Sequence, residues 1–185
     1  SACKLVREKF PDMPIIWGGV HASLLPEQTL RHPLVDIVVV GEGEDTLLDL
    51  VEAIKSNRPL REVKGIAFME DGQYVFTGLR EFVDLVAQPF PDFDLVDLNL
   101  YRENILGIDN LHMHCSRGCT LKCAFCWDPI FHRRQFRKMQ PDRVLEIMQH
   151  IVSEYGIRGF LFHDDNFFLD LKWAREVLER IDRSG

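Results

Sequence analysis

Cys115-Ser116-Arg117-Gly118-Cys119-Thr120-Leu121-Lys122-Cys123-Ala124-Phe125-Cys126 is the stretch around which the chain is organised. It holds four of the five cysteines, and the last three, Cys119, Cys123 and Cys126, are spaced C-x3-C-x2-C. Soft metal centres take thiolate ligands, and a compact loop with this spacing can wrap three of them around one object. Three is the informative number. A structural zinc site takes four ligands, whereas a four-iron cubane held by three thiolates keeps one iron open to another ligand. Cys115 or His114 could complete a zinc site, and Cys115 could complete a four-cysteine electron-transfer cluster. A disulfide fits poorly with the lack of a secretory signal at the start of the sequence. An inert thiol cluster fits least, since free cysteines seldom crowd without a reason.

The residues on either side of this loop read as alternating strands and helices. Leu111-His112-Met113-His114 is the expected strand that delivers it, with His112 and His114 alternating against apolar neighbours and satisfied by hydrogen bonds. Phe131 to Lys138 is a basic run with two aromatics, read as a solvated loop in preference to a phosphate or nucleic-acid contact. Gln140-Pro141 then opens a helix. Val144, Met148, Ile151 and Tyr155 form its inward stripe, with Leu145 and Val152 beside them, and Gly156 ends it. Gly159 to His163 is a second strand, with Asp164-Asp165-Asn166 at its carboxyl end. Asp170 caps a last helix with Ala174, Val177, Leu178 and Ile181 inward. Strand, helix, strand, helix is how a β/α barrel begins, and barrel sites lie at the carboxyl ends of strands. Both the cysteines and the acidic pair fall there.

The first half of the chain reads differently. A helix ends near residue 10, where Pro11 and Pro14 stop it. Pro14-Ile15-Ile16-Trp17 and Ile37-Val38-Val39-Val40 are short apolar runs of the buried parallel-strand kind. Each is followed by glycines: Gly18-Gly19 after the first, Gly41-Glu42-Gly43 after the second. A short helix starts at Pro26, and another spans about Asp45–Ser56 with Leu47, Leu50, Val51 and Ile54 on one face. Repeated strand–loop–helix implies an open parallel α/β sheet, which binds ligands outside the carboxyl ends of its strands. The glycines serve tight turns or let a ligand approach the backbone. Leu60 to Thr77 reads as a hairpin turning at Asp71-Gly72. The prolines and aromatics of Pro89 to Leu95 read as a stiff linker docked on a neighbour.

At 185 residues with 46% hydrophobic content, the chain can bury one good core or two small ones. It has no run of about 18 apolar residues, so no membrane span is expected. Cysteines without a secretory signal suggest metal chemistry in a reducing compartment, hence a cytoplasmic location. A net charge of −7 argues against a general nucleic-acid binder.

The cysteine segment closely resembles the cluster loop of the radical S-adenosylmethionine (SAM) superfamily. The resemblance rests on the C-x3-C-x2-C spacing, on Phe125 before the last cysteine, and on Ser116-Arg117-Gly118 before the first. It implies that Cys119, Cys123 and Cys126 hold a [4Fe–4S] cluster. The open iron would chelate SAM, and Phe125 with Asp164 or Asp165 would contact that cofactor. Cys115 lies outside the triad, as a strand-end residue. The segments from Trp17 to Ser23 and from Val40 to Glu44 resemble the cobalamin-binding domain upstream of one class of these enzymes. Gly18, Gly19, Gly41, Glu42 and Gly43 are thereby implied as cobalamin contacts. His21 follows the glycine pair and is not implied as a cobalt ligand.

Together these resemblances imply an α/β chain with three parts. Residues 1–87 are the C-terminal part of an open parallel, Rossmann-like cobalamin domain with a hairpin extension. Residues 88–108 are a linker, and residues 109–185 are the first β/α units of a TIM-like partial barrel. About 75 residues after the linker are too few for a barrel of about 200 or more, so a fragment is expected. The implied activity is cobalamin-dependent radical chemistry, methylating an unactivated carbon or forming a ring as tetrapyrrole cyclases do. It would act on a small-molecule substrate, with electrons from a donor such as flavodoxin or ferredoxin. A zinc-stabilised binding module without catalysis is the alternative from another class.

Overall fold

The computed structural model describes residues 2–105 and 107–185. Two compact units emerge, Ser1–Val83 and Asp84–Gly185. The first contains α1 (Ala2–Lys9), β1 (Ile16–Trp17), α2 (Val20–Leu24), α3 (Pro26–Leu30), β2 (Ile37–Val39), α4 (Glu44–Ser56), β3 (Ile66–Glu70) and β4 (Gln73–Phe76). The four strands form one sheet in the order β1-β2-β3-β4. β1 and β2 are parallel, while β3 and β4 add antiparallel. The hairpin thus extends the same sheet and makes it mixed, because the apolar run Ile66-Ala67-Phe68 pairs along the remaining edge of β2.

β2 is buried on both faces, as a continuous apolar run requires. Ile37 and Val39 pack with Leu50, Ala53, Val63, Ile66 and Phe68. Val38 packs on the opposite face with Ala22, Leu30, Val35 and Ala67. The turn between β3 and β4 is Asp71-Gly72, with φ of 49° and 75°, the positive pair that a tight hairpin turn demands.

Two sequence expectations need correcting in this unit. β1 is an edge strand of this sheet, and Trp17 is 42% exposed. The buried face of α4 is Thr46, Leu50 and Ala53: of the expected stripe Leu50 faces inward and Val51 is half-buried, but Leu47 and Ile54 are exposed. Thr46 stands close against its neighbour: a methyl on Gly65 would lie 2.8 Å from Thr46 Oγ1.

The second unit contains β5 (Glu103–Ile105), β6 (Ile108–Met113), β7 (Ser116–Arg117), α5 (Asp128–Phe131), β8 (Arg137–Lys138), α6 (Pro141–Tyr155), β9 (Gly159–Phe162) and α7 (Leu171–Ser184). β6 and β9 are parallel, with Leu111 opposite Phe160 and Met113 opposite Phe162. α6 connects them, giving the strand–helix–strand–helix order expected of a nascent barrel. β5 pairs antiparallel on the other edge of β6. Leu111, Met113 and Cys115 enter a core with Val144, Ile147, Met148 and Ile151 of α6 and Trp173, Ala174 and Val177 of α7.

The helix ends follow local chemistry. Asp170 accepts the Trp173 amide at 3.0 Å, capping α7. Gly156, at φ 68°, stops α6. Within the segment read as a linker, Phe90 stacks on His150 at 4.6 Å and Phe93 meets Tyr155 edge-on at 5.4 Å. The inward faces differ in detail from the expected ones. Ile147 and Trp173 are buried, whereas Val152 and Leu178 are exposed. Trp173 turns inward because its indole N–H donates to the Met139 carbonyl at 2.8 Å.

Candidate metal centre and glycine cradle

β6 runs into a loop that a second, smaller ladder holds at its base. β7 pairs antiparallel with β8, Ser116 opposite Lys138 and Arg117 opposite Arg137. Residues 118–136 project between these strands and carry all three cysteines of the spaced motif. Gly118 makes the exit turn at φ 85°, where a Cβ would lie 2.1 Å from the Gln135 carbonyl and 2.8 Å from His132 Cβ. No side chain fits, which accounts physically for glycine at this place in the motif. All five cysteines are free. Cys119 and Cys126 are half-buried, Cys123 is exposed, and the Cys126 amide donates to the Cys123 carbonyl at 3.1 Å. Phe125 stands 93% exposed between them.

The donor set fits an iron–sulfur cluster: three unpaired, solvent-reaching thiols on one short loop. Cys115 has a different environment. It is fully buried among Leu111 and Met113, and burial followed by the nearby Asp164 carboxylate drives its thiol far above its ordinary range. It stays a protonated core residue.

The acidic pair after β9 receives the loop. Asp164 Oδ1 accepts from the Cys115 amide at 3.0 Å, from the Ser116 amide and from the Ser116 hydroxyl. Its other oxygen is buried without a hydrogen bond. Asp165 Oδ2 accepts the Gly118 amide at 2.9 Å, and its side chain is 29% exposed. The two carboxylates thereby fix the backbone on both sides of Arg117.

Sequence reading missed a further group. His132, expected in a solvated loop, is buried, with Nε2 3.7 Å from Asp128 and 3.9 Å from Asp165. Two further residues of the basic run are held within the unit, while Arg134 and Gln135 are exposed as a solvated loop would have them. Phe136 packs on Trp173 at 6.2 Å, and Lys138 pairs with Asp170. Asp128 is 2% exposed, and its pKa is pushed up to about 6, first by burial and then by the Asp165 carboxylate. The spacing of Asp128 and His132, four residues apart, was visible; their burial was not.

The strand histidines are exposed and partnered. His112 Nε2 lies 2.8 Å from Glu103, and the His112 and His163 rings are 4.2 Å apart. His114 lies 6.3 Å from His163, on the face opposite to Cys115.

In the first unit, the two glycine loops converge on Val39. A methyl on Gly18 or on Gly43 would lie 3.7 Å from that side chain. The Gly41 amide donates to Ser23 Oγ at 2.9 Å, tying the loops together. Gly19 (φ 86°, ψ −175°) occupies a region open essentially to glycine alone, and neither it nor Gly41 has an atom within 4 Å of a built Cβ. This leaves bare backbone with open space above it, which a large ligand could approach. Glu42 differs: its carboxylate accepts the Val83 amide at 3.0 Å, so part of it is engaged within the unit.

Comparison with known proteins adds family matches to this geometry. The B12 binding domain family matches residues 1–51, and the Radical SAM superfamily matches residues 113–184. An uncharacterized methyltransferase of Pyrococcus horikoshii is 31% identical over all of this chain and 40% of its own length. An anaerobic magnesium-protoporphyrin IX monomethyl ester cyclase of Cereibacter sphaeroides is 29% identical over 98% of the chain and 30% of its own length. The chain therefore spans less than half the length of these relatives. The radical SAM methyltransferase TsrM of Kitasatospora setae, solved with cobalamin and a [4Fe-4S] cluster, shares the fold. Its TM-score is 0.74 at 20% identity, covering 99% of this chain and 36% of that one. Among the described residues no helix is long and apolar enough to cross a membrane.

Proposed function

We propose, for a chain that belongs to the radical SAM enzymes with a B12-binding domain, that it is part of an enzyme methylating an unactivated carbon of a small molecule. Cys119, Cys123 and Cys126 would hold a [4Fe–4S] cluster. The chemistry that this cluster supplies, with SAM and cobalamin, is reductive formation of a 5′-deoxyadenosyl radical, hydrogen abstraction and methyl delivery. The observation that carries the reading is the clasped loop at the carboxyl end of β6, with three free thiols on it and Cys115 sealed in the core.

This chain's own residues position and shield. Asp164, Gly118 and the β7–β8 ladder hold the loop in one conformation, so that little ordering remains to be done when ligands bind. Phe125 offers an exposed aromatic face to the cofactor. Asp165 keeps a partly exposed carboxylate beside the loop, suited to accept a hydrogen bond from the ammonium group of SAM. Asp164 is less suited, because its contacts all go to Cys115 and Ser116. Gly18, Gly19, Gly41 and Gly43 would let cobalamin lie against the backbone, bordered by Glu42.

Ring closure is the second reading, supported by the cyclase relative at nearly the same identity as the methyltransferase. Single-turnover assays on the full-length protein with methyl-labelled SAM separate them. Methylation predicts label in the product along with 5′-deoxyadenosine; label that never leaves SAM while 5′-deoxyadenosine accumulates contradicts it. A cytoplasmic location and a reduced flavodoxin or ferredoxin as electron source complete the proposal.

A further inference from the structure

Asp128 is a buried carboxylate, and neither of its oxygens has a hydrogen bond among the described residues. The Cys119 amide and the Asp165 carboxylate lie close enough to act on its charge, but neither closes a bond of ordinary geometry on it. A buried polar group left unbonded is costly, and a charged one more so. A side chain set in this way points to something that it holds.

Two further donors face the same spot. His132 follows Asp128 by one helical turn, its amide donating to the Asp128 carbonyl at 2.9 Å. Its Nε2 lies 3.7 Å from Asp128 Oδ1. Asp165 arrives from the carboxyl end of β9, with Oδ2 3.9 Å from the same Nε2. These gaps are too long for hydrogen bonds. They suit donors that share one ion: with bonds of about 2.0–2.2 Å, two donors stand about 3–4.3 Å apart. One ligand atom from each of the three residues lies within 4.8 Å of the other two. His132 Nδ1 is 3.4 Å from Arg137 Nη2, too long a contact to fix the ring's tautomer. Asp165 is exposed, which leaves room for water as a further ligand.

We propose that Asp128, His132 and Asp165 bind one divalent first-row cation, such as manganese(II) or zinc, separate from the cysteine centre. Two carboxylates and one imidazole make the donor set of such an ion. The imidazole disfavours magnesium and calcium, and the lack of a thiolate disfavours copper(I). The ion offsets the charge of two carboxylates that the fold brings together. Any proton held between them leaves to solvent as the ion enters. The ion ties the middle of the cysteine loop to the end of β9, whereas the β7–β8 ladder ties only the base. Its role is structural, no electron is transferred, and the site stands apart from the reading of the three cysteines.

Manganese(II) alone is the probe, because it prefers oxygen and nitrogen donors to the free thiols of the loop. Full-length protein, freed of metal, is titrated anaerobically, and unbound ion is read by electron paramagnetic resonance. The parent should take up about one ion per chain, and so should the parent with its cluster reconstituted. Asp128→Asn and His132→Gln should each weaken binding by about a hundredfold, the upper end of what even supporting residues of metal sites cost. Asp182→Asn, which removes an exposed carboxylate on α7, should match the parent. If a variant fails to fold, the parent still decides: the spin-echo spectrum of its bound manganese should carry the nitrogen modulation of one imidazole. Absence of that modulation, no uptake by the parent, or equal uptake by Asp128→Asn overturns the site. Uptake that is lost in Cys119→Ala and kept in Asp128→Asn assigns the ion to the thiols and also overturns it.

Discussion

Replacing Asp164 with alanine tests how the loop is held. One carboxylate oxygen receives the Cys115 amide, the Ser116 amide and the Ser116 hydroxyl, and both of those residues are buried. Hydrogen bonds to a charged acceptor contribute about 1.5–3 kcal/mol each, and an unsatisfied buried donor costs about 1–3 kcal/mol. Three donors sharing one oxygen are not additive, and water can enter the space left by the side chain. A local loss of about 2–4 kcal/mol follows. Hydrogen exchange of the Cys115 and Ser116 amides in the metal-free protein should then accelerate about 30-fold to 900-fold. Iron uptake should fall with it, since the loop must be ordered before it can bind. Asp164→Asn keeps a carbonyl acceptor and should lose less. If Asp164→Ala leaves the exchange of these amides unchanged and only SAM affinity falls, Asp164 is a cofactor contact and the strut argument is wrong.

Other perturbations follow from the same geometry. Gly118→Ala should fail to load iron, since its Cβ would lie 2.1 Å from the Gln135 carbonyl at φ 85°; the check is iron content beside circular dichroism, and full loading contradicts it. Asp49 pairs with Arg58 and Arg80; partial burial raises its pKa, but the two arginines outweigh that and leave it below its ordinary 3.8. A depressed folded pKa stabilises above the unfolded value and is lost as pH falls, so Asp49→Asn should flatten the loss of stability below about pH 4 in denaturant titrations. Gly18→Val should fold and yet lose cobalamin from the full-length protein, because its Cβ would meet only Val39, at 3.7 and 3.9 Å, while its added bulk would stand at the backbone that the ligand is proposed to approach. Retention of cobalamin at the parent level would move that site elsewhere.

What could be read from the chain beforehand was local. The turn at Asp71-Gly72, the stop at Gly156 and the cap at Asp170 depend on a few adjacent residues, and each appears where its chemistry requires. The cysteine triad is also a local signal, because its spacing alone confines three thiols to one loop. Tertiary features were less legible. The inward face of α4 keeps the expected Leu50 but turns toward Thr46 and Ala53, with Thr46 close against Gly65, and leaves Leu47 and Ile54 outside. His132 looked like part of a solvated basic run, yet it is buried beside Asp128 and Asp165, the latter 33 positions further along the chain. The acidic pair was legible as a site but not in its detail. Its backbone contacts to Cys115, Ser116 and Gly118 come from the β6–β9 pairing, which no short window contains.

The most direct test counts iron and sulfide per chain after anaerobic reconstitution of the full-length protein and four single variants. The account predicts about four of each in the parent and in Cys115→Ala, whose thiol is sealed in the core. It predicts loss of the cluster in Cys119→Ala, Cys123→Ala and Cys126→Ala, seen as loss of the broad absorption near about 400 nm that iron–sulfide clusters give. Zinc in place of iron in the parent, or equal loss of iron in Cys115→Ala, would contradict the three-thiolate centre.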